Sequence, residues 1–305
     1  MRRLAKTILE RAMLRVARAS LLAGNHGAYR VILAYHNVIP DGRPSVGESS
    51  LHISRSRFCS HLDVIQELCV VSDLGGLIAG RQSDSRRPVV AITFDDAYRG
   101  AVTIAAGELA ARGLPATFFV CPSLVGTRAF WWDRVASSGD NEVPSGWRVN
   151  ALNGLGGDAA SIVEWAGSRA AAAEEIPEIA VPCGDTDLSD LARQRGMTVA
   201  SHSWSHRNLA ILPAGELRQD LVASHQWLLT RFGAAYLPVL AYPYGCWSEG
   251  VGQAARAAGY IAALRVEGGR FREPAANRFA VPRISVPAGL SREGLALRLL
   301  GVLSA

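Results

Sequence analysis

Val89-Val90-Ala91-Ile92-Thr93-Phe94-Asp95-Asp96-Ala97-Tyr98 is the stretch that decides how this chain folds. From Val89 to Phe94 every residue is apolar or β-branched, and the run stops abruptly at two adjacent carboxylates. A parallel strand buried on both faces reads this way, and its C-terminal end is where such a sheet opens into a site. Asp95 and Asp96 therefore stand at a strand mouth. Successive side chains of a strand point to opposite faces, which would let one carboxylate hold a metal while the other moves a proton. An Asp-Asp pair also suits the cap of a helix beginning near Tyr98, so the dipeptide alone leaves both readings open.

A second strand mouth narrows the choice. Met197 to Ser201 is another short strand-like run, and it leads into Ser201-His202-Ser203-Trp204-Ser205-His206. Imidazoles at i and i+4 can turn to one side of a helical turn or tight loop and supply two nitrogen ligands, leaving a carboxylate to complete a site with three protein ligands. Zinc hydrolases keep the fourth position for water. Solvated loop histidines would show the same spacing, but two strand mouths with complementary ligand sets are harder to dismiss.

Strands alternate with helices on either side of these motifs. Arg30 to Tyr35 reads as the first strand, ending in His36-Asn37-Val38, and the Gly-, Pro- and Ser-rich Pro40 to Ser50 as a loop. Further strands are expected at Val70-Val71, Ala116 to Cys121, Val239 to Tyr242 and Tyr260 to Leu264, with a last one at Val281 to Val286. Helices are expected at Phe58 to Cys69, Leu74 to Ala79, Ala101 to Arg112, Ser189 to Arg195, Ala214 to Phe232 and Glu249 to Ala258. The pattern predicts an α/β fold with a parallel sheet and a site on the C-terminal strand ends. Pro122 to about Gly184 is a long irregular excursion of the kind that carries function or is loosely ordered.

The 305 residues, 49% of them hydrophobic, suffice for one large core and a single domain. The net charge of +5 is nearly all arginine, Lys6 being the only lysine. These charges are dispersed and come with no nucleic-acid motif, so no nucleic-acid partner is expected. Cys59, Cys69, Cys121, Cys183 and Cys246 are odd in number and show no C-x-x-C pair, which predicts neither a disulfide framework nor a structural zinc site and favours a reducing, cytoplasmic compartment. Met1 to Ser20 interleaves Arg2, Arg3, Lys6, Arg11, Arg15 and Arg18 with Leu4, Ile8, Leu9, Met13, Leu14 and Val16. A basic amphipathic helix is expected over residues 1–27, ahead of a catalytic domain over 28–305. It lacks the apolar core of a secretory signal and is too charged to span a bilayer. Either it lies on anionic lipid at the inner face of the cytoplasmic membrane, or it packs on the outside of the fold with its arginines in water.

Four motifs, Thr93-Phe94-Asp95-Asp96, Pro115-Ala116-Thr117-Phe118-Phe119-Val120, His202-Ser203-Trp204-Ser205-His206 and Tyr242-Pro243-Tyr244-Gly245, occur in this order. Together they resemble the polysaccharide deacetylases of the NodB-homology type, carbohydrate esterase family 4, from about Arg30 to the C-terminus, with the motif-bearing core at about 88–287. The resemblance implies a deformed (β/α)7-type barrel, a divalent metal that is usually zinc, and hydrolysis of N-acetyl groups on a glycan. By motif position it implies Asp96, His202 and His206 as metal ligands and Asp95 as general base. It puts the oxyanion against the backbone N–H of Tyr244, with Pro243 and Tyr244 beside the substrate.

The chain departs from the family pattern twice. An arginine usually stands two residues before the motif proline, and this chain has Ala241 there; Arg283, in Pro282-Arg283-Ile284, is the candidate to orient the catalytic Asp95 instead. Most members also carry the general-acid histidine on the final strand, and no histidine follows His225 here. His36, at the end of the first strand, is similar in placement to the acid histidine of the circularly permuted poly-N-acetylglucosamine deacetylases. First and last strands of a closed barrel are neighbours, so either can deliver the group to one mouth. Trp131 and Trp132 are candidates for a sugar-stacking platform, with Asp133 and Arg134 adding polar contacts. Trp204 reads as packing support, and His52, His61 and His225 as structural or surface residues. The readings to be separated are a metal-dependent N-deacetylase, a sugar-binding module that kept the barrel without turnover, and a metal amidohydrolase acting on a non-sugar amide.

Overall fold

The computed structural model describes residues 10, 12–14, 29–43, 47–80, 87–137, 141–272 and 275–303. Its strands are β1 (Arg30–Tyr35), β2 (Asn37–Ile39), β3 (His52–Ser54), β4 (Val70–Val71), β5 (Val89–Phe94), β6 (Ala116–Val120), β7 (Met197–Ser201), β8 (Tyr236–Ala241), β9 (Ala262–Arg265), β10 (Val281–Pro282) and β11 (Ile284–Ser285). The main sheet runs β10-β9-β8-β7-β6-β5-β1-β11, all parallel, with β4 added against β5 and a separate β2-β3 pair. Because β10 and β11 are consecutive in the chain, the two ends of this order meet. The last stave pairs with β9 through Val281 and Pro282 and with β1 through Ile284. That closes a deformed seven-stave barrel with helices outside it.

The strand expected at Val281 to Val286 is thus two short pieces broken at Arg283. A fully buried arginine cannot sit in the interior without a partner for its charge, and its reach for that partner coincides with the interruption of the ladder. The helix expected from Ala101 begins with a π-helical turn at Ala101–Ala105 before the regular Ala106–Ala111. Helix Ala214–Phe232 keeps its expected bounds, between Pro213 and Gly233 at φ 50°. Its face Leu217, Asp220, Leu221, Ser224 and Leu228 is buried, and each leucine contributes about 1.5–3 kcal/mol relative to exposure. Two polar members of that face go to the functional loop described below.

The N-terminal segment lies mostly outside the described residues. Of it, Leu14 is buried in the main core, and Glu10 accepts a hydrogen bond from Ser291 Oγ at 2.8 Å, at the cap of the C-terminal helix Arg292–Leu299. No helix among the described residues is long and apolar enough to cross a membrane.

Candidate active site

Strand alternation decides which side chains enter the barrel. Along β5, Val89 and Ala91 pack into the interior cluster with Ile32, Phe119, Ala200, Ala241 and Val281, while Val90, Ile92 and Phe94 pack outward beneath the helices. The same period carries Asp95 inward from Ala91, His36 from Ile32, His202 from Ala200 and Arg283 from Val281. Interior alanines at 91, 200, 241 and 262 leave room for one large guanidinium. Arg283 fills it, its Cζ 5.5 Å from the Phe119 ring centre.

Arg283 donates to both oxygens of Asp95, Nη1 to Oδ1 at 2.6 Å and Nη2 to Oδ2 at 2.8 Å. Burial alone would raise the Asp95 pKa, but Arg283, His202 and His36 outweigh it and hold the carboxyl below its ordinary value. The fork fixes the plane of the carboxylate as well as its charge. His36, one residue past β1, lines the same cleft; burial lowers its pKa against the opposing pull of Asp96 and Asp95.

Asp96 reaches the cleft by a different route. Alternation would send it outward with Phe94, but its φ of 68°, followed by 49° at Ala97, turns it back inward. Its Oδ1 lies 3.0 Å from His206 Nε2 and 3.4 Å from His202 Nε2, yet it accepts no hydrogen bond of good geometry. The three ligand atoms all fall within 4.8 Å of one another and all three residues are buried. His202 Nδ1 donates to the Ala241 carbonyl at 2.8 Å, which leaves the Nε2 lone pair facing the cluster. Burial works to raise the Asp96 pKa, and the two histidines drive it well below the usual carboxylate range. His202 is raised, since Asp95 and Asp96 overcome burial, whereas burial prevails at His206 and lowers it. A buried carboxylate oxygen without a donor, converging with two imidazole nitrogens, is a donor set that fits a divalent metal such as zinc.

The histidine loop is held from behind. Asp220, on helix Ala214–Phe232, accepts from Trp204 N at 2.8 Å, Ser205 N at 3.1 Å and Ser205 Oγ at 2.5 Å. Ser201 Oγ meets Ser224 Oγ at 2.8 Å, and Tyr260 donates to Ser201 Oγ at 2.8 Å. Nothing in the local sequence marks Asp220 as part of the site. Five of the six non-glycine residues with positive φ among those described, Asp96, Ala97, Ser203, His206 and Tyr244, belong to these strand-end loops. Such conformations cost about 1–3 kcal/mol each and persist only where the surroundings over-determine them.

A model of the family described as polysaccharide deacetylase matches residues 82–263. The chain belongs to the polysaccharide deacetylase family. As a polysaccharide deacetylase it shares its fold with solved structures of low sequence identity. IcaB from Ammonifex degensii is 19% identical with TM-score 0.63 over 90% of this chain and 98% of that one. The Streptococcus pyogenes deacetylase PplD, solved with acetate, is 14% identical with TM-score 0.62 over 90% and 99%. A de-N-acetylase from Aggregatibacter actinomycetemcomitans is 15% identical with TM-score 0.61 over 88% and 99%. A search of curated proteins returned no match.

The deacetylase cleft, of about 200 Å³, brings together His36, Asp95, Asp96, His202, His206, Trp131, Trp132 and Tyr244. Trp131 Nε1 donates to Tyr244 OH at 2.9 Å, and the Tyr244 ring stands edge-on to His206 with centres 4.5 Å apart. The expectation of a substrate contact from Asp133 is corrected. Asp133 is fully buried and behind the wall, accepting from Glu48 N at 2.9 Å, His52 Nε2 at 3.0 Å and Tyr98 OH at 2.6 Å. A carboxylate wholly buried among these donors, and absent from the cleft lining, does not meet a sugar. Arg134 donates Nε to the Ala171 carbonyl at 2.7 Å and does not line the cleft. Pro243 is likewise buried under its turn and off the cleft surface. Sequence reasoning missed four lining residues, Glu48, Leu51, Arg148 and Val266. Glu48 lay in what read as a plain loop, and Arg148 in the irregular excursion.

Proposed function

We propose that this carbohydrate deacetylase removes the acetyl group from the nitrogen of an N-acetylhexosamine unit, using a divalent metal, zinc by its donor set, held by Asp96, His202 and His206. The observation that carries the reading is the Asp95–Arg283 fork set beside the Asp96–His202–His206 cluster in one cleft. When bound, the metal supplies the Lewis acidity and activated water that amide hydrolysis requires. Asp95, ionised and fixed in plane by Arg283, takes the proton of the attacking water. His36 is neutral at rest and stands beside Asp95 on the adjoining strand end, where the Asp95 N–H donates to the Tyr35 carbonyl at 2.9 Å. It accepts that proton and passes it to the departing nitrogen, so the cycle consumes none. The turn at Tyr244 supplies a backbone N–H for the developing oxyanion. Trp131 and Trp132, buried but at the cleft wall, form an apolar face against which a pyranose excludes water.

The test is acetate release from N-acetylated oligosaccharides, measured with metal content on the same purified sample. His206→Ala should lose metal and turnover together. Asp95→Asn should keep the metal and lose turnover by at least ~10²-fold. A protein that binds no stoichiometric divalent metal, or turnover that survives Asp95→Asn, overturns the reading.

A further inference from the structure

We infer that Arg148 is a specificity-determining residue that receives an oxyanion, a carboxylate or a phosphate, carried by the acetamido sugar in this cleft. The inference rests on the deacetylase reading above and names the kind of glycan it applies to. Arg148 lies on helix Ser145–Val149, inside the excursion between β6 and β7, and its side chain lines the cleft opposite the strand ends. There it pairs with Glu48 across the rim, Nη2 to Oε2 at 2.9 Å.

The two halves of that pair are unequal. The Glu48 side chain is 5% exposed, and its oxygens already accept from Ser50 Oγ at 2.8 Å and from Val143 N at 2.9 Å. The Arg148 side chain is 45% exposed and gives Glu48 one of its N–H groups. A guanidinium carries five N–H donors in a rigid fork, so most of them stay available and their direction is set by the buried carboxylate. An incoming anion meets the exposed guanidinium and not Glu48, which is buried. The other charged groups of the cleft are committed: Asp95 to Arg283, and Asp96 to the two histidines. Among the described lining residues Arg148 is the cation with donors to spare. Leu51 and Val266, which also line the cleft, are apolar, and one oriented guanidinium with free N–H groups favours a ligand that answers both donors of the fork. A sugar hydroxyl answers one of them.

The experiment compares kcat/KM for acetate release from three water-soluble substrates: a neutral N-acetylhexosamine oligosaccharide, an oligosaccharide alternating N-acetylhexosamine with a uronate, and an N-acetylhexosamine 1-phosphate. The wild-type protein should prefer one of the two anionic substrates, and which of them is preferred tells carboxylate from phosphate. Arg148→Gln should shrink the anionic-to-neutral ratio by roughly 10- to 100-fold, the worth of charged hydrogen bonds lost at a rim. Arg148→Lys, which keeps the charge without the fork, should restore part of the ratio. Equal or better use of the neutral substrate by the wild type overturns the inference. So does an Arg148→Gln effect that is the same on all three, which is what loosening of Glu48 alone would give. Acetate release from none of the three overturns the deacetylase reading, and this inference falls with it.

Discussion

The floor of the cleft and its wall are built by different means. The floor consists of groups at strand ends, His36, Asp95, His202 and Arg283, each placed inward by the two-residue period of a strand in a closed parallel barrel. The wall comes from the loop before β3 and from the excursion between β6 and β7, joined by a buried polar network. In that network Asn37 meets His52, His52 and Tyr98 donate to Asp133, and Trp132 donates to Tyr98. Floor groups are positioned by register: Arg283 reaches Asp95 from the last stave, and the position two before the motif proline is the interior Ala241. Wall groups depend on particular partners, so they cannot be exchanged singly.

The sharpest way to break this contrast is at His36, because a floor group should act in chemistry and leave architecture alone. His36→Ala should lower kcat for amide deacetylation by roughly 10²- to 10⁴-fold while metal content and KM stay near wild type. An activated aryl acetate, whose leaving group departs as a stabilised anion, should lose much less. Unchanged amide turnover in His36→Ala would return β1 to a purely structural role and send the search for the acid elsewhere.

This division also explains what was legible in the sequence. β1, β5 and β7 fall at their expected bounds because buried parallel strands are continuous apolar runs, and a polar residue at the end of such a run has nowhere to go but the mouth. Asp96 stands at the mouth, as the end of such a run implies, and it is a left-handed backbone that turns it into the cleft beside Asp95. Asp133 was misread because Trp-Trp-Asp-Arg looks the same whether its acid faces sugar or core. The difference lies in Tyr98, His52 and the backbone of Glu48, each distant in sequence. Arg148 and Asp220 left no local trace, for the same reason.

A smaller effect tests the wall. Asp133→Asn keeps the volume but cannot accept from all of Glu48 N, His52 and Tyr98, so a buried donor is left facing another donor. The expected outcome is a loss of about 1–3 kcal/mol in unfolding free energy, read by urea denaturation, with KM for glycan within about twofold of wild type. A large KM increase at unchanged stability would make Asp133 a substrate contact after all and erase the contrast between floor and wall.

The smallest effect concerns what lies under the floor. His61, on helix Arg55–Leu68, is fully buried; Tyr35 OH donates to its Nδ1 at 3.2 Å, and its Nε2 faces the Leu290 carbonyl at 3.1 Å. It thereby ties the strand that presents His36 to the C-terminal segment. Burial lowers its pKa from 6.5 to about 4. The folded state therefore favours the neutral ring, and no stability is lost to this group above pH 6.5. Below that, the unfolded chain takes up a proton that the folded protein refuses, so stability falls progressively as the pH drops toward 4. At pH 5.5 the loss is about 1.4 kcal/mol. Other groups titrate over the same range, so the measurement is a difference: the drop in unfolding free energy between pH 7.5 and 5.5 for the wild type, less the same drop for His61→Gln. Glutamine can still donate to Leu290 and does not titrate. A difference near zero would mean that the ring takes up its proton as readily in the folded protein as in the unfolded chain, and a negative difference that the strand carrying His36 is held by an ion rather than by a neutral hydrogen bond.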